Sequence, residues 1–303
     1  MNDITAKQTS LRNASAEGFV YCSKETLDRV RANDLPKEDL YGMARAAAML
    51  GAKRTSDLIP HCHPVSIDGM EISIDTQDSP PAVKVSVSAR SIGRTGIEME
   101  ALTAVSVASL VIYDHLKPID KDLRISDVRL LEKTGGKSDA RLKRYAAGAS
   151  AAILICSDSV AAGKKEDGAG VAIAEVLSKF EVTIKETVVV EDVADAIRKA
   201  VQGWVGAVDL IVTTGGTGLG PRDVTTNAIR EILEEEIPGV AEAMRAFGQD
   251  RTPFAMLSRS LAGRIGNTIV VCLPGSTNGA RESMQAICPG IFHALPMMQG
   301  QGH

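Results

Sequence analysis

The chain has 303 residues, enough for two domains that each bury a core of their own. With 44% hydrophobic residues, 24% charged residues and a formal net charge of −4, it has a globular profile that argues against nucleic-acid binding driven by phosphate electrostatics. One Trp and five Phe leave few stacking platforms for single strands, and no uninterrupted run of about 18 apolar residues marks a membrane span. The opening MNDITAKQTS lacks an apolar signal core, and the five cysteines are scattered and odd in number. That usage favours reduced thiols and a cytoplasmic location over a disulfide framework.

Read in chain order, the first half gives helix, helix, strand, strand, long helix, strand. A helix is expected from about Ser23 to Arg31, and a second follows Pro36 through DLYGMARAAAMLGAKR. MEISID and AVKVSVSA alternate with period two, as antiparallel strands with one buried face do. GIEMEALTAVSVASLVIYDHLK carries the longest helical pattern and ends at Pro118. This order predicts an α+β sandwich. The basic, small-residue stretch GGKSDARLKRYAAGASA then changes the character of the chain, and the domains are drawn as 1–147 and 148–303. Beyond it AAILICSD, VTIKETVVV, AVDLIVTTGG and NTIVVCLPG read as strands separated by helices. The second half is therefore predicted to be doubly wound α/β with a mostly parallel sheet.

His61, Cys62 and His63 in SDLIPHCHPVSIDGMEISID raise the question of a metal. Zinc needs three or four converging ligands, and the chain supplies no second CxxC or HxxxH group, so metal is disfavoured here. On the long helix, Glu100, Thr103, Val107, Leu110, Asp114 and Lys117 fall on one stripe. Asp114 and Lys117 could be a plain surface ion pair. Glu100 and Asp114 are separated by about 21 Å of helix rise, so one straight helix cannot bring both to one small substrate. If both act, a second subunit must join them. Two glycines between Lys133 and Lys137 in RLLEKTGGKSD read as a mobile loop suited to phosphate oxygens, or as a solvated basic loop.

KRTSDLIPHCHP, GIEMEALTAVSVASLVIYDHLK and RLLEKTGGKSD, together with the opening DITAKQTSLRNASAEGF, closely resemble the cyclic pyranopterin monophosphate synthase family of molybdenum cofactor biosynthesis over about residues 3–139. The resemblance implies a ferredoxin-like subunit in a hexamer with sites at subunit interfaces. It also implies rearrangement of 3′,8-cyclo-7,8-dihydroguanosine triphosphate to cyclic pyranopterin monophosphate with release of pyrophosphate. Asp114 matches the family's acid/base position and Lys117 a catalytic lysine; Lys37 is grouped with them. Arg12, His61, Cys62, His63, Glu98, Met99, Glu100, Lys133 and Lys137 form the implied substrate-binding set. His61 stands where relatives usually carry an apolar residue, so it is an addition peculiar to this chain.

In the second half, DLIVTTGGTGLGPRDVTTNAIREIL is a strand, a glycine-rich turn and a helix. Such a turn lies at a carboxyl-terminal sheet edge, where open α/β sheets bind ligands, but it is neither a Walker A loop nor a GxGxxG. Asp223 could hold Mg²⁺ or cap the helix near Thr225. With EEEIPGVAEAMR, AMLSRSLAGRIGNTIVVCLPGS and ILICSDSVAAGKKEDGAG, this segment resembles the molybdopterin-binding domain that includes the adenylyltransferases and their B-type relatives, over about 150–295. The resemblance implies a pterin or nucleotide site at Gly215, Gly216, Thr217, Gly218, Asp192, Asp223, Pro274, Gly275 and Ser276, with Asp192 and Asp223 positioned for Mg²⁺–ATP. Gly275-Ser276-Thr277-Asn278 is closer to the B-type branch, which leaves two readings: adenylyl transfer, or a non-catalytic binding or assembly module. No tightly bound cofactor is expected; Mg²⁺ and ATP would serve the second domain. The partners expected are small pterins and nucleotides and further copies of the chain, as a hexamer or a trimer-based assembly, with neither nucleic acid nor membrane.

Overall fold

The first unit is built around a strand that its hydrophobic pattern does not announce. In the computed structural model, which describes residues 1–136 and 144–300, β1 (Ser10–Tyr21) runs through SLRNASAEGFVY. Its Arg12, Ala14, Ala16 and Val20 are buried. The small residues are required by the long helix above them: a Cβ on Gly18 would come within 2.7 Å of Val105 Cγ1. A strand rich in Ala, Ser and Gly lacks the β-branched signature, so the order of elements read from the sequence omits it.

The other expected elements form: α1 (Lys24–Arg31), α2 (Leu40–Lys53), β2 (Gly69–Asp78), β3 (Pro81–Gly93), a long helix and a last strand. A short α3 (Thr55–Leu58) follows α2, and the long helix is α4 (Glu98–Leu116), followed by β4 (Arg124–Thr134). The sheet is antiparallel in the order β2-β3-β1-β4, so β1 is central, pairing Arg12 with Ser91 on one side and Ala14 with Lys133 on the other. Ala44, Ala48 and Ala52 of α2 and Ala101, Ala104, Val105 and Ala108 of α4 share one core with the sheet. By length and a mean hydropathy of 1.2, α4 would pass for a membrane span, yet 56% of that stretch is buried within the fold. Its apolar character serves the core.

The second unit, from Lys137 to His303 where the first spans Met1–Gly136, has strands β5 (Ser150–Cys156), β6 (Thr183–Val190), β7 (Leu210–Thr214), β8 (Glu235–Glu236), β9 (Leu261–Ile265) and β10 (Thr268–Leu273). Its helices are α5 (Asp158–Ala161), α6 (Gly168–Ser178), α7 (Ala194–Trp204), α8 (Thr225–Arg230), α9 (Pro238–Gln249), α10 (Thr277–Ile287) and α11 (Ala294–Met298). The sheet order is β6-β5-β7-β10-β9-β8; the first four strands are parallel, and β9 and β8 are antiparallel.

Alternate residues of the parallel strands enter two cores. Ile153, Val212 and Val271 face one, with Ile173 and Met284, while Leu154, Ile211 and Val270 face the other, with Ile197 and Ile229. Burial on both faces explains the unbroken apolar runs of β5, β7 and β10. The pair β8 and β9 was not anticipated. LAGRI is short, with Ala and Gly inside, and its link to β10 is the two-residue turn Gly266-Asn267, with Gly266 at φ +56°.

Candidate active sites

Helix α4 carries polar residues at both ends, and the structure gathers them into two clusters. At its C-terminus, Asp114 sits between two ammonium groups. Lys117 Nζ lies 2.7 Å from Asp114 Oδ1, and Lys37, delivered by the loop before α2, bonds Oδ2. The Lys117 and Lys37 hydrogen bonds pull the Asp114 carboxyl down to about 2, and Asp114 in turn raises Lys117. The cluster thus sets an ionised carboxylate between two lysine side chains, a composition suited to acid/base work beside phosphate oxygens.

At the N-terminus of α4, Lys133 Nζ lies 3.2 Å from Glu98 Oε1. Arg12 is held by backbone carbonyls, donating from Nε to Gly93 at 3.2 Å and from Nη2 to Arg94 at 3.4 Å. Burial lowers Arg12, against the opposing pull of Glu98. Glu100 is buried, which raises its carboxyl, with the Glu98 charge adding to the effect. Burial also raises the Cys62 thiol, and Glu100 contributes, which puts the PHCHP segment beside this end of the helix.

Lys133 was expected in a mobile loop. It belongs instead to β4, whose end is pinned to β1 by Asn13 Nδ2 donating to Thr134 Oγ1 at 2.9 Å. The two glycines that follow wrap the Arg12 corner. Gly135 at φ +98° would drive a Cβ into the Leu11 carbonyl, and Gly136 at φ +87° into the Arg12 guanidinium. Lys137 lies outside the described residues. His61 is exposed and His63 half-buried, in an irregular segment before β2 rather than on a strand, and Met99 is exposed on the first turn of α4. Among the described residues no group of three or more His, Cys, Asp or Glu side chains is arranged to hold a metal ion.

In the second unit one crevice is lined by Asp192, Gly215, Gly216 and Gly275 of the expected residues, while Asp223, Thr217 and Gly218 do not line it. The chain leaves β5 toward β6 on one side, while β7 pairs on the other side of β5. The loops after these strands therefore diverge at a topological switch point. There a cavity of about 220 Å³ is lined by Ser157, Lys165, Asp192, Gly215, Gly216 and Gly275, among others. A Cβ on Gly215, at φ +99°, would collide with the Cys156 carbonyl, and one on Gly216 with Thr225 Oγ1, so backbone alone forms this wall. Thr214 Oγ1 donates to the Pro274 carbonyl at 2.8 Å, joining the glycine loop to the Pro274-Gly275-Ser276 turn. Ser276 caps α10 by accepting from Gly279 N at 3.2 Å. It lines a second cavity of about 190 Å³ on the far side of that turn, with Arg245, Phe254, Ser258 and Ser260.

Asp223 does not cap α8, whose N-terminus has no side-chain cap. Its Oδ2 accepts from Gly220 N at 2.8 Å, closing the glycine loop on itself. Asp192 is clasped by Asp158: Asp192 N donates to Asp158 Oδ1 at 3.0 Å and Asp158 N to Asp192 Oδ2 at 3.3 Å. Asp192 Oδ1 is buried without a hydrogen-bond partner. Burial raises the Asp192 carboxyl, helped by the charges of Asp158 and Asp223 and opposed by the hydrogen bond from Asp158 N. An unclaimed carboxylate oxygen near a second aspartate suits a divalent cation that takes its other ligands from phosphate and water. Two residues went unassigned from sequence: Asp158, hidden in the SD dipeptide after β5, and Arg259. Arg259 donates to the glycine loop from 41 residues away in sequence, a distance that no local pattern encodes.

These features define a two-unit chain with a glycine-lined α/β crevice in one unit and a charged helix site in the other. The model of the MoaC family matches residues 1–136, and that described as "Probable molybdopterin binding domain" matches residues 152–293. The "Molybdenum cofactor biosynthesis bifunctional protein" of Chlorobaculum tepidum is 41% identical over 304 residues, covering 100% of this chain and 96% of that protein. Its namesake in Synechococcus elongatus is 37% identical over 314 residues, covering 100% and 98%. The chain belongs to this family of bifunctional molybdenum cofactor biosynthesis proteins. The "Cyclic pyranopterin monophosphate synthase" of Heliobacterium modesticaldum is 46% identical over 138 residues, covering 46% of this chain and 87% of that protein.

Proposed function

We propose that the first unit converts 3′,8-cyclo-7,8-dihydroguanosine 5′-triphosphate to cyclic pyranopterin monophosphate and pyrophosphate. The observation that carries this is the Lys37–Asp114–Lys117 cluster. Asp114 accepts a proton as the purine ring is opened and rebuilt, while Lys117 and Lys37 stabilise charge on the departing pyrophosphate. Arg12, Lys133, Glu98, Glu100 and His63 bind the nucleotide. Because the two clusters occupy opposite ends of α4, a complete site takes one cluster from each of two subunits of a homo-oligomer. The order β1, α1–α3, β2, β3, α4, β4, with sheet order β2-β3-β1-β4, supports a ferredoxin-like description of this unit. The proposed domain boundary at 147/148 lies in the gap between the two matched regions. Asp114→Asn tests the assignment: the variant should fold and release pyrophosphate about 10²–10⁴-fold more slowly, and near-normal turnover would overturn the role of Asp114.

For the second unit the reading is molybdopterin binding with adenylyl transfer. An oxygen of the molybdopterin phosphate attacks the α-phosphorus of ATP, and pyrophosphate leaves. Asp192 and Asp223 would hold the Mg²⁺ that neutralises the triphosphate, and the buried, unpartnered Asp192 Oδ1 supports that role. The two cavities on either side of the Pro274-Gly275-Ser276 turn offer two substrates neighbouring places. The Gly275-Ser276-Thr277-Asn278 turn favours a second reading, a binding or assembly module without transfer. Incubating the protein with molybdopterin, ATP and Mg²⁺ beside an Asp223→Ala control separates them. Adenylyl-molybdopterin that disappears in the control supports transfer; no product from a sample whose first unit turns over supports the module.

A further inference from the structure

We propose that Arg259 is the positioning residue of the glycine loop and, through it, of Asp223. Resting on the nucleotide reading of the crevice, the proposal assigns a role to a residue that lines neither catalytic carboxylate. Arg259 lies in the Ser258-Arg259-Ser260 segment between the turn after α9 and β9. Its N–H donates to the Thr217 carbonyl at 2.9 Å and its Nε to the Gly218 carbonyl at 2.7 Å. Nη2 donates to the Asp223 carbonyl, and Nη1 to Asn227 Oδ1 of α8 at 3.1 Å. One residue thus ties the start of the loop, its end and the helix that follows.

The chemistry of the grip matters as much as its extent. A guanidinium has donors and no acceptor. It holds the loop only through carbonyl oxygens and so competes for none of the loop N–H groups, of which those of Gly215, Gly220 and Asp223 already bond the Leu273 carbonyl, Asp223 Oδ2 and the Gly220 carbonyl. A stretch containing Gly215, Gly216, Gly218 and Gly220 otherwise has many accessible conformations, and fixing it in the absence of ligand removes an ordering cost from binding. The flanking serines face the other way. Ser258 and Ser260 line the second cavity, and their hydroxyls lie 2.8 Å apart. The Ser260 carbonyl accepts from Arg245 at 3.1 Å, so the segment is anchored on that side as well. Lysine could not replace Arg259, because a point charge cannot span three acceptors as a planar fork does.

The test uses the full chain with Arg259→Ala and Arg259→Lys, and retained exchange protection of β5, β7 and β10 confirms that the second unit of each variant is folded. Hydrogen–deuterium exchange of the 215–223 amides should rise about tenfold or more in Arg259→Ala while β5 and β10 stay protected. Unchanged exchange in the loop would overturn the proposal whether or not nucleotide binds. The Kd for Mg²⁺–ATP should weaken by about tenfold in both variants, and added guanidinium should restore much of it in Arg259→Ala only. A purely stabilising Arg259 would lower the melting temperature and leave Kd and the guanidinium response unmoved, which also overturns it. Wild-type protein that binds no Mg²⁺–ATP would sink the nucleotide reading by itself, and the exchange measurement then decides on Arg259.

Discussion

The two units assemble their sites in opposite ways. In the first, the groups that matter lie along one helix, and rise per residue separates them: Glu98 and Glu100 stand at one end of α4, Asp114 and Lys117 at the other. In the second, they come from loops that follow β5, β6, β7 and β10, and the parallel sheet delivers every one of those loops to the same edge. A helix spreads its functional residues at about 1.5 Å per step, whereas a parallel sheet collects residues distant in sequence at its carboxyl ends. On the proposed functions, the first arrangement would call for a neighbouring subunit, whereas the second would draw its groups from one chain.

The comparison is broken most severely by Asp114→Asn, for which pyrophosphate release should fall by about 10²–10⁴-fold with the fold retained. Mixing Asp114→Asn subunits with Glu100→Gln subunits then sharpens it. Roughly a quarter of the sites in a randomly assembled oligomer would contain both intact halves, so turnover should return to about that fraction. The matching experiment on the second unit, Asp192→Asn mixed with Asp223→Asn, should restore no adenylyl transfer. Recovery there, or none in the first mixture, would reverse the contrast.

Next in size are the glycine corners. Gly215→Ala and Gly135→Ala each force a side chain into a left-handed backbone position and against a carbonyl oxygen. Each should cost about 1–3 kcal/mol, read as a lowered thermal midpoint of its own unit.

Smaller effects separate stability from function at the two ends of α4. Burial raises Glu100, so its charged form costs stability above the folded pKa, and the cost vanishes as pH falls below the ordinary value of 4.5. Glu100→Gln should therefore raise the thermal midpoint at about pH 8, leave it unchanged well below about pH 4, and still lower turnover. Asp114 is the reverse case. Its pKa is depressed, so its stabilisation is present above the ordinary 3.8 and is lost as pH falls through about 2. The group and both lysines are solvent-exposed, so Asp114→Asn should lower the midpoint only slightly at neutral pH, and less again in high salt.

Much of this architecture was legible in the residues. Period-two alternation located β2 and β3, the long apolar pattern located α4, and strand–helix alternation implied the parallel sheet. What escaped was structure maintained by contact rather than by pattern. β1 is written in Ala, Ser and Gly because α4 presses on it, and the brief β8–β9 edge leaves too few residues for a period. Asp223 could be read as a helix cap or a cation ligand, and only the folded loop shows its carboxylate bonded to Gly220 N.

Composition, periodicity and the two sets of motifs determined by themselves that this chain has two units and which kind of sheet each carries, and they nominated the residues proposed to bear the chemistry. Those properties are local, set by side-chain alternation and by turn residues close in sequence. Only the tertiary structure decided the rest: that the charged residues of α4 form two clusters, that Lys133 belongs to a strand, and that Arg259 reaches the glycine loop. Such contacts join residues 35 or more positions apart. They arise when buried surfaces choose partners, a choice that follows from packing of the whole fold.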